Sequence, residues 1–207
     1  ACAPFRRLHL CHHNLETIDT KSTAKHDLLA EVCMAAKYEG DSIKTHYPKY
    51  KETNEGTASQ LCTVLARSFA DIGDIVRGRD LYSGNKKEKK QRDELENNLK
   101  EIFKKIHDDV TNGKNDKKQA LQARYTDNKN YFQLREDWWY ANRATIWEAI
   151  TCEAGNDSQY FRQTCGSNEN TATQASHKCR CEGANVNIVP TYFDYVPQYL
   201  RWFEEWA

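Results

Sequence analysis

Apolar positions recur along this chain at helical rather than alternating spacing, and four stretches carry the pattern. Leu28, Leu29, Val32, Cys33 and Ala36 fall on one helical stripe, which predicts a helix that starts near Ser22 or Thr23, whose hydroxyls can cap it. Pro48 and the polar run 49–56 predict a loop after it. A second helix is expected from about Thr57 to Ser59 onward, with Leu61, Val64, Leu65, Ser68 and Phe69 on one face. It continues toward Ile72, Ile75 and Val76, where Gly73 and Gly78 predict a bend. Leu95, Leu99, Ile102, Phe103, Ile106 and Val110 give the clearest three-to-four periodicity, broken by the polar stretch 113–118. A fourth helix over Tyr131–Cys152 supplies the richest core, through Phe132, Leu134, Trp138, Trp139, Ile146, Trp147 and Ile150.

Between these stretches the chain is polar. The run 84–92 holds no apolar residue and predicts either an exposed loop or the start of a solvated helix. Residues 153–190 lose helical periodicity and gain Gly, Asn, Ser and Thr, an irregular segment that cross-links would have to hold. Pro190 and Pro197 bracket the return to structure, and a last amphipathic helix opens with Tyr199, Leu200, Trp202 and Phe203. There is no internal repeat. The chain begins at Ala1 without an initiator Met and ends mid-pattern at Ala207, so it is expected to be a segment cut at both ends.

Composition narrows the class. Of 207 residues, 39% are hydrophobic and 29% charged, and the mean hydropathy of −0.90 suits a thin-cored domain with long solvated helix faces. No run approaches the roughly 18–20 apolar residues of a membrane span. Five Trp and 11 Tyr argue against disorder. Lys+Arg and Asp+Glu both number 30, so the basic excess of a nucleic-acid binder is absent, and any polyanion must be held by local patches.

The eight cysteines, Cys2, Cys11, Cys33, Cys62, Cys152, Cys165, Cys179 and Cys181, are even in number and cluster toward the two ends. In so polar a chain they are disulfide candidates of an oxidising compartment. Sequence does not choose the pairing, except that Cys179 and Cys181 are too close to bridge each other. His9, Cys11, His12 and His13, and again His177 with Cys179 and Cys181, suggest zinc only superficially: the spacings fit no standard ligand pattern, and oxidised sulfur does not ligate. No metal or cofactor is expected.

Catalytic signatures are equally missing: no nucleophile elbow, zinc-protease motif or glycine-rich phosphate loop occurs. Asp108 with Asp109, and Glu204 with Glu205, are sequence neighbours that point roughly 100° apart on a helix, so neither pair converges on a substrate. The chain reads as a non-enzyme.

Binding is the remaining chemistry. Lys86, Lys87, Lys89, Lys90 and Arg92 face only Glu88 in their stretch, and Lys114, Lys117 and Lys118 form a second cluster. Such clusters suit sulfated glycans, against the plainer reading of a solvated, solubilising face. Arg6 and Arg7 are a smaller candidate, equally suited to ion pairs. Trp138, Trp139 and Trp147 are weighed as a sugar-stacking platform but are placed in the core by their spacing. Arg77-Gly-Arg-Asp80 is not an Arg-Gly-Asp site, and Asn156-Asp-Ser158 is the one glycosylation sequon considered.

Four stretches together carry a family resemblance: Ala1-Cys-Ala-Pro-Phe-Arg-Arg-Leu-His-Leu-Cys11; the segment 66–80 around Asp71-Ile-Gly-Asp-Ile-Val76; Asp137-Trp-Trp-Tyr-Ala-Asn-Arg143; and the segment 190–206 from Pro190-Thr-Tyr-Phe to Trp206. They resemble the α-class Duffy-binding-like domains of Plasmodium falciparum (malaria-parasite) erythrocyte membrane protein 1. The resemblance implies a mostly α-helical, disulfide-bonded fold with long irregular loops, truncated here at both ends. Residues 1–70 would close a first subdomain and open the helical core, 71–190 would form the central helical subdomain with its cysteine-rich segment, and 191–207 would begin a last subdomain. It also implies a variable surface antigen on the extracellular face of the infected erythrocyte, part of a longer membrane-anchored protein without insertion by this segment. Its role would be adhesion to a host cell-surface receptor, a heparan-sulfate-like or blood-group glycan or a protein, in cytoadherence and rosetting, with host antibodies as further partners. The alternative is a structural and antigenic spacer whose neighbours bind the receptor.

Overall fold

In a computed structural model, which describes residues 2–11, 15, 18, 24–53, 61–112, 118–166 and 168–206, the chain is mostly helical. The helices are α1 (Phe5–Leu8), α2 (Ala24–Thr53), α3 (Leu61–Arg77), α4 (Lys86–Asn112), α5 (Lys118–Arg124), α6 (Phe132–Ile150) and α7 (Gln198–Trp206). A two-stranded antiparallel ribbon, β1 (Gln163–Cys165) and β2 (Thr173–Gln174), lies in the irregular segment. The predicted starts of α2 at Ser22–Thr23 and of α3 at Thr57–Ser59 lie outside the described residues.

α3 is the axis of the fold. Every residue from Leu65 to Arg77 is buried, because α2, α6, α7, α1 and the 3₁₀ turn Phe193–Tyr195 pack around it. The aromatic core forms where α6 crosses it: the Phe69 ring lies 5.0 Å from that of Trp139 and 5.2 Å, edge to face, from that of Trp147. Trp138 turns the other way and meets Phe103 of α4 at 6.0 Å.

Three local expectations are corrected. α3 is not interrupted at Gly73; it continues to Arg77, and Gly73 is where Trp139 approaches, since a Cβ there would come to 2.7 Å of the indole. Gly78, at φ +72°, is instead the stop, a left-handed residue just past the last turn. Pro48 does not open a loop, because α2 continues through it to Thr53. Residues 44–46, 48 and 49 are exposed, so solvent serves the carbonyl that proline leaves without a donor. Phe132, expected in the core, is 44% exposed at the first position of α6.

The basic stretch 86–92 is helical from its first lysine. Asn85 accepts from the backbone N–H groups of Lys87 and Glu88, and Glu88 accepts from the Asn85 N–H, a reciprocal capping box that starts α4.

Two disulfides hold the irregular segment. Cys62–Cys179 ties it to the start of α3, and Cys165–Cys181 closes it on itself. Trp147 donates its indole N–H to the Cys179 carbonyl, so the cross-linked segment is also pinned to α6. Cys2, Cys33 and Cys152 form no bridge among the described residues.

Candidate binding surface

Because α3 is buried on all sides, its charged residues have no access to bulk water and must find partners inside the protein. Asp71 accepts from Arg6 of α1 and Arg201 of α7, both at 2.7 Å. Arg201 also reaches Asp74, which Arg77 joins from one turn along. Arg143 and the Trp139 indole meet at Asp194, and Arg77 donates to the Asp194 carbonyl. Gln198 bridges Asp71 and Asp80. This network locks the N-terminal segment, α3, the 193–195 turn and α7 into one body.

The two aspartates titrate differently. Burial alone would raise Asp71, but Arg6 and Arg201 outweigh it and hold the carboxyl below its usual range. Burial pushes Asp74 up to about 6 against the pull of Arg201 and Arg77. Burial likewise raises Glu39, although it accepts from the Cys11 N–H and the Ser68 hydroxyl.

The same network sorts the sequence's basic candidates. Arg6 is taken by Asp71 and Glu205, and Arg7 by Asp80, so both are ion-paired parts of the scaffold. Arg92 departs from its lysine neighbours: it shares Asp80 with Arg7, and both guanidinium groups flank the Tyr82 ring, at 5.0 and 4.8 Å. The Tyr82 hydroxyl in turn donates to Glu88. Arg92 therefore anchors the loop before α4. Asp80, Tyr82 and Glu88 are the positioning residues that composition did not single out, and the Asn85-x-x-Glu88 spacing was the available signal.

Lys86, Lys87, Lys89 and Lys90 are exposed on the outer side of the first turns of α4. Lys90 reaches Glu94 at only 3.9 Å, and Lys86, Lys87 and Lys89 pair with no acid among the described residues. Four lysines at a helix N-terminus oppose its dipole, so the local fold gains nothing from their charge. In the second cluster, Lys118 is exposed at the start of α5, while Lys114 and Lys117 lie outside the described residues.

Other candidates are absorbed by packing. Trp139 and Trp147 are buried and offer no platform. Glu204 and Glu205 go separate ways, to Arg67 and Arg6. Cys179 and Cys181 are oxidised, which removes them as ligands, and His12 and His13 lie outside the described residues. Asp41, Cys152 and Glu153 bring ligand atoms within 4.8 Å of one another, but Lys37 holds Asp41 and the thiol faces Glu153. Asp71, Asp74 and Asp194 are buried and committed to arginines, so none of the three is an open acid or base. No described helix is long and apolar enough to cross a membrane.

The Duffy binding domain profile matches residues 1–201. The NTS-DBL1(alpha-1) domain of Plasmodium falciparum membrane protein 1 (PfEMP1) from the varO strain is 47% identical at a TM-score of 0.77, over 100% of this chain and 43% of that one. An ICAM-1-binding PfEMP1 DBLbeta domain is 32% identical at a TM-score of 0.65, over 97% of this chain and 41% of that one. A PfEMP1 DBLb domain bound to human ICAM-1 is 29% identical at a TM-score of 0.62, over 97% and 38%. The chain thus spans less than half the length of each. Among curated proteins nothing matches.

Proposed function

This chain belongs to the Duffy binding domain family, and on that premise we propose that it is a receptor-binding adhesion module which grips sulfated glycan on host cells through the first turns of α4. It has no enzymatic role. One observation carries the reading: Lys86, Lys87, Lys89 and Lys90 stand outward, whereas Arg6, Arg7 and Arg92 are spent on Asp71, Glu205 and Asp80. The helical body supplies rigidity, and the exposed ammonium groups supply charge and hydrogen bonds to sulfate. Displayed outside an infected erythrocyte on a longer membrane-anchored protein, such a module would serve cytoadherence and rosetting, and its exposed turn would meet host antibodies.

The test is charge reversal. Changing Lys86, Lys87, Lys89 and Lys90 to Glu should abolish retention on heparin while leaving thermal unfolding within a few degrees, since none of the four carries the fold. Unaltered retention would reduce the turn to a solvated face. A protein receptor is the second reading, favoured by the related DBLb domain bound to ICAM-1; binding to immobilised ICAM-1 that survives the same reversal would support it.

A further inference from the structure

Beside the lysine turn lies an open groove of about 370 Å³ between α4, the loop 78–83 and the start of α6. Its floor is apolar, from Ile75, Leu95 and Leu99, and its rim is polar. Most of the rim charge is already cancelled: Asp80 by Arg7 and Arg92, and Glu96 by Arg135 and Lys100. What remains is the Lys89 ammonium and the Asp93 carboxylate, on one strip of α4 and not joined to each other among the described residues. Ser83 and Asn130 also line the groove and bring a hydroxyl and an amide to it. Phe132 lines the same groove and is 44% exposed.

This lining selects a chemistry. A multiply charged anion would be repelled by Asp93. A purely apolar ligand would leave the ammonium, carboxylate and amide without partners. A hydroxylated ring both donates and accepts, so it satisfies Lys89, Asp93, Ser83 and Asn130 together, while its C–H face packs on Phe132. Lys89 belongs to both features, which makes the groove and the lysine turn one continuous surface.

We infer that this groove seats an uncharged sugar ring of the same glycan whose sulfates lie on Lys86, Lys87 and Lys90, so that the site selects chains in which charged and uncharged units alternate. The inference rests on the function proposed above, and it adds a recognition element that charge alone does not provide.

Polyphosphate, a polyanion without sugar rings, separates the two parts. Phe132→Ala and Asn130→Ala should each weaken binding of a size-defined heparan-sulfate oligosaccharide, in which uncharged N-acetylglucosamine units alternate with charged ones, about fivefold, in line with the loss of one stacking contact or one buried hydrogen bond. Both should leave polyphosphate binding unchanged. Lys86, Lys87 and Lys90 reversed together should weaken both probes. If Phe132→Ala and Asn130→Ala spare the oligosaccharide, or weaken polyphosphate equally, the groove holds no sugar and only the lysine turn stands. If the lysine reversal affects neither probe, the proposed function falls, and the two groove variants then judge the groove alone. Phe132 is exposed, so its replacement does not threaten the fold, and unfolding curves check both variants.

Discussion

Gly73 lies against the indole of Trp139, close enough that a Cβ at position 73 would come to 2.7 Å of the ring carbon Cζ2. Gly73→Ala should therefore destabilise the protein by about 1–3 kcal/mol through overpacking, although alanine is the better helix former. Denaturant unfolding measures it. A stabilised variant would mean that α3 and α6 are not in contact as described.

Asp74 gives the stability a pH signature. Its folded-state pKa of about 6 lies above the ordinary value of 3.8, so its charged form is disfavoured by folding. The stability it contributes is complete below the unfolded value and is lost as pH rises toward 6. Asp74→Asn should flatten this part of the curve. The stability difference between variant and parent should shift in favour of the variant by about 2–3 kcal/mol from pH 4 to pH 6.5. Parallel curves for the two proteins would contradict the assignment.

Cys62–Cys179 closes 117 residues of chain. Replacing both by Ser should cost about 2–5 kcal/mol. The cost should fall on the whole body, since the bridge joins α3 to a segment that Trp147 also holds. Reductant should cost the parent protein at least as much, and should lower the double variant further only by the share that Cys165–Cys181 contributes.

Arg92 should behave unlike its lysine neighbours. Arg92→Gln removes one partner of Asp80 and one of the two guanidinium contacts with the Tyr82 ring, so stability should fall by about 1–3 kcal/mol. The salt dependence of heparin binding should stay as in the parent, because Arg92 points into the scaffold. A variant of full stability and reduced salt dependence would return Arg92 to the binding face.

The helices were legible because their apolar periodicity is strong and their core residues, such as Phe69, Trp139 and Trp147, are large. Position-specific features were not. Gly73 reads as a breaker until Trp139 is seen beside it, and Pro48 reads as a loop until the solvent around it is considered. Phe132 fits the periodic stripe yet faces out, because the chain enters α6 through the left-handed Tyr131 at φ 57°. The lysine run was visible as charge, but separating Arg92 from it required Asp80 and Tyr82, which approach through the loop before α4. Arg6 pairs with Glu205 across 199 positions, a partnership that local pattern does not contain.

The central claim is that binding is carried by the exposed ammonium groups of α4, and such contacts are screened by salt. The most direct measurement is heparin affinity of the parent protein as a function of NaCl. Affinity should fall steeply and log-linearly, with elution complete well below 1 M, and the slope should shrink when Lys86, Lys87, Lys89 and Lys90 are replaced. Retention unchanged at 1 M NaCl would contradict it.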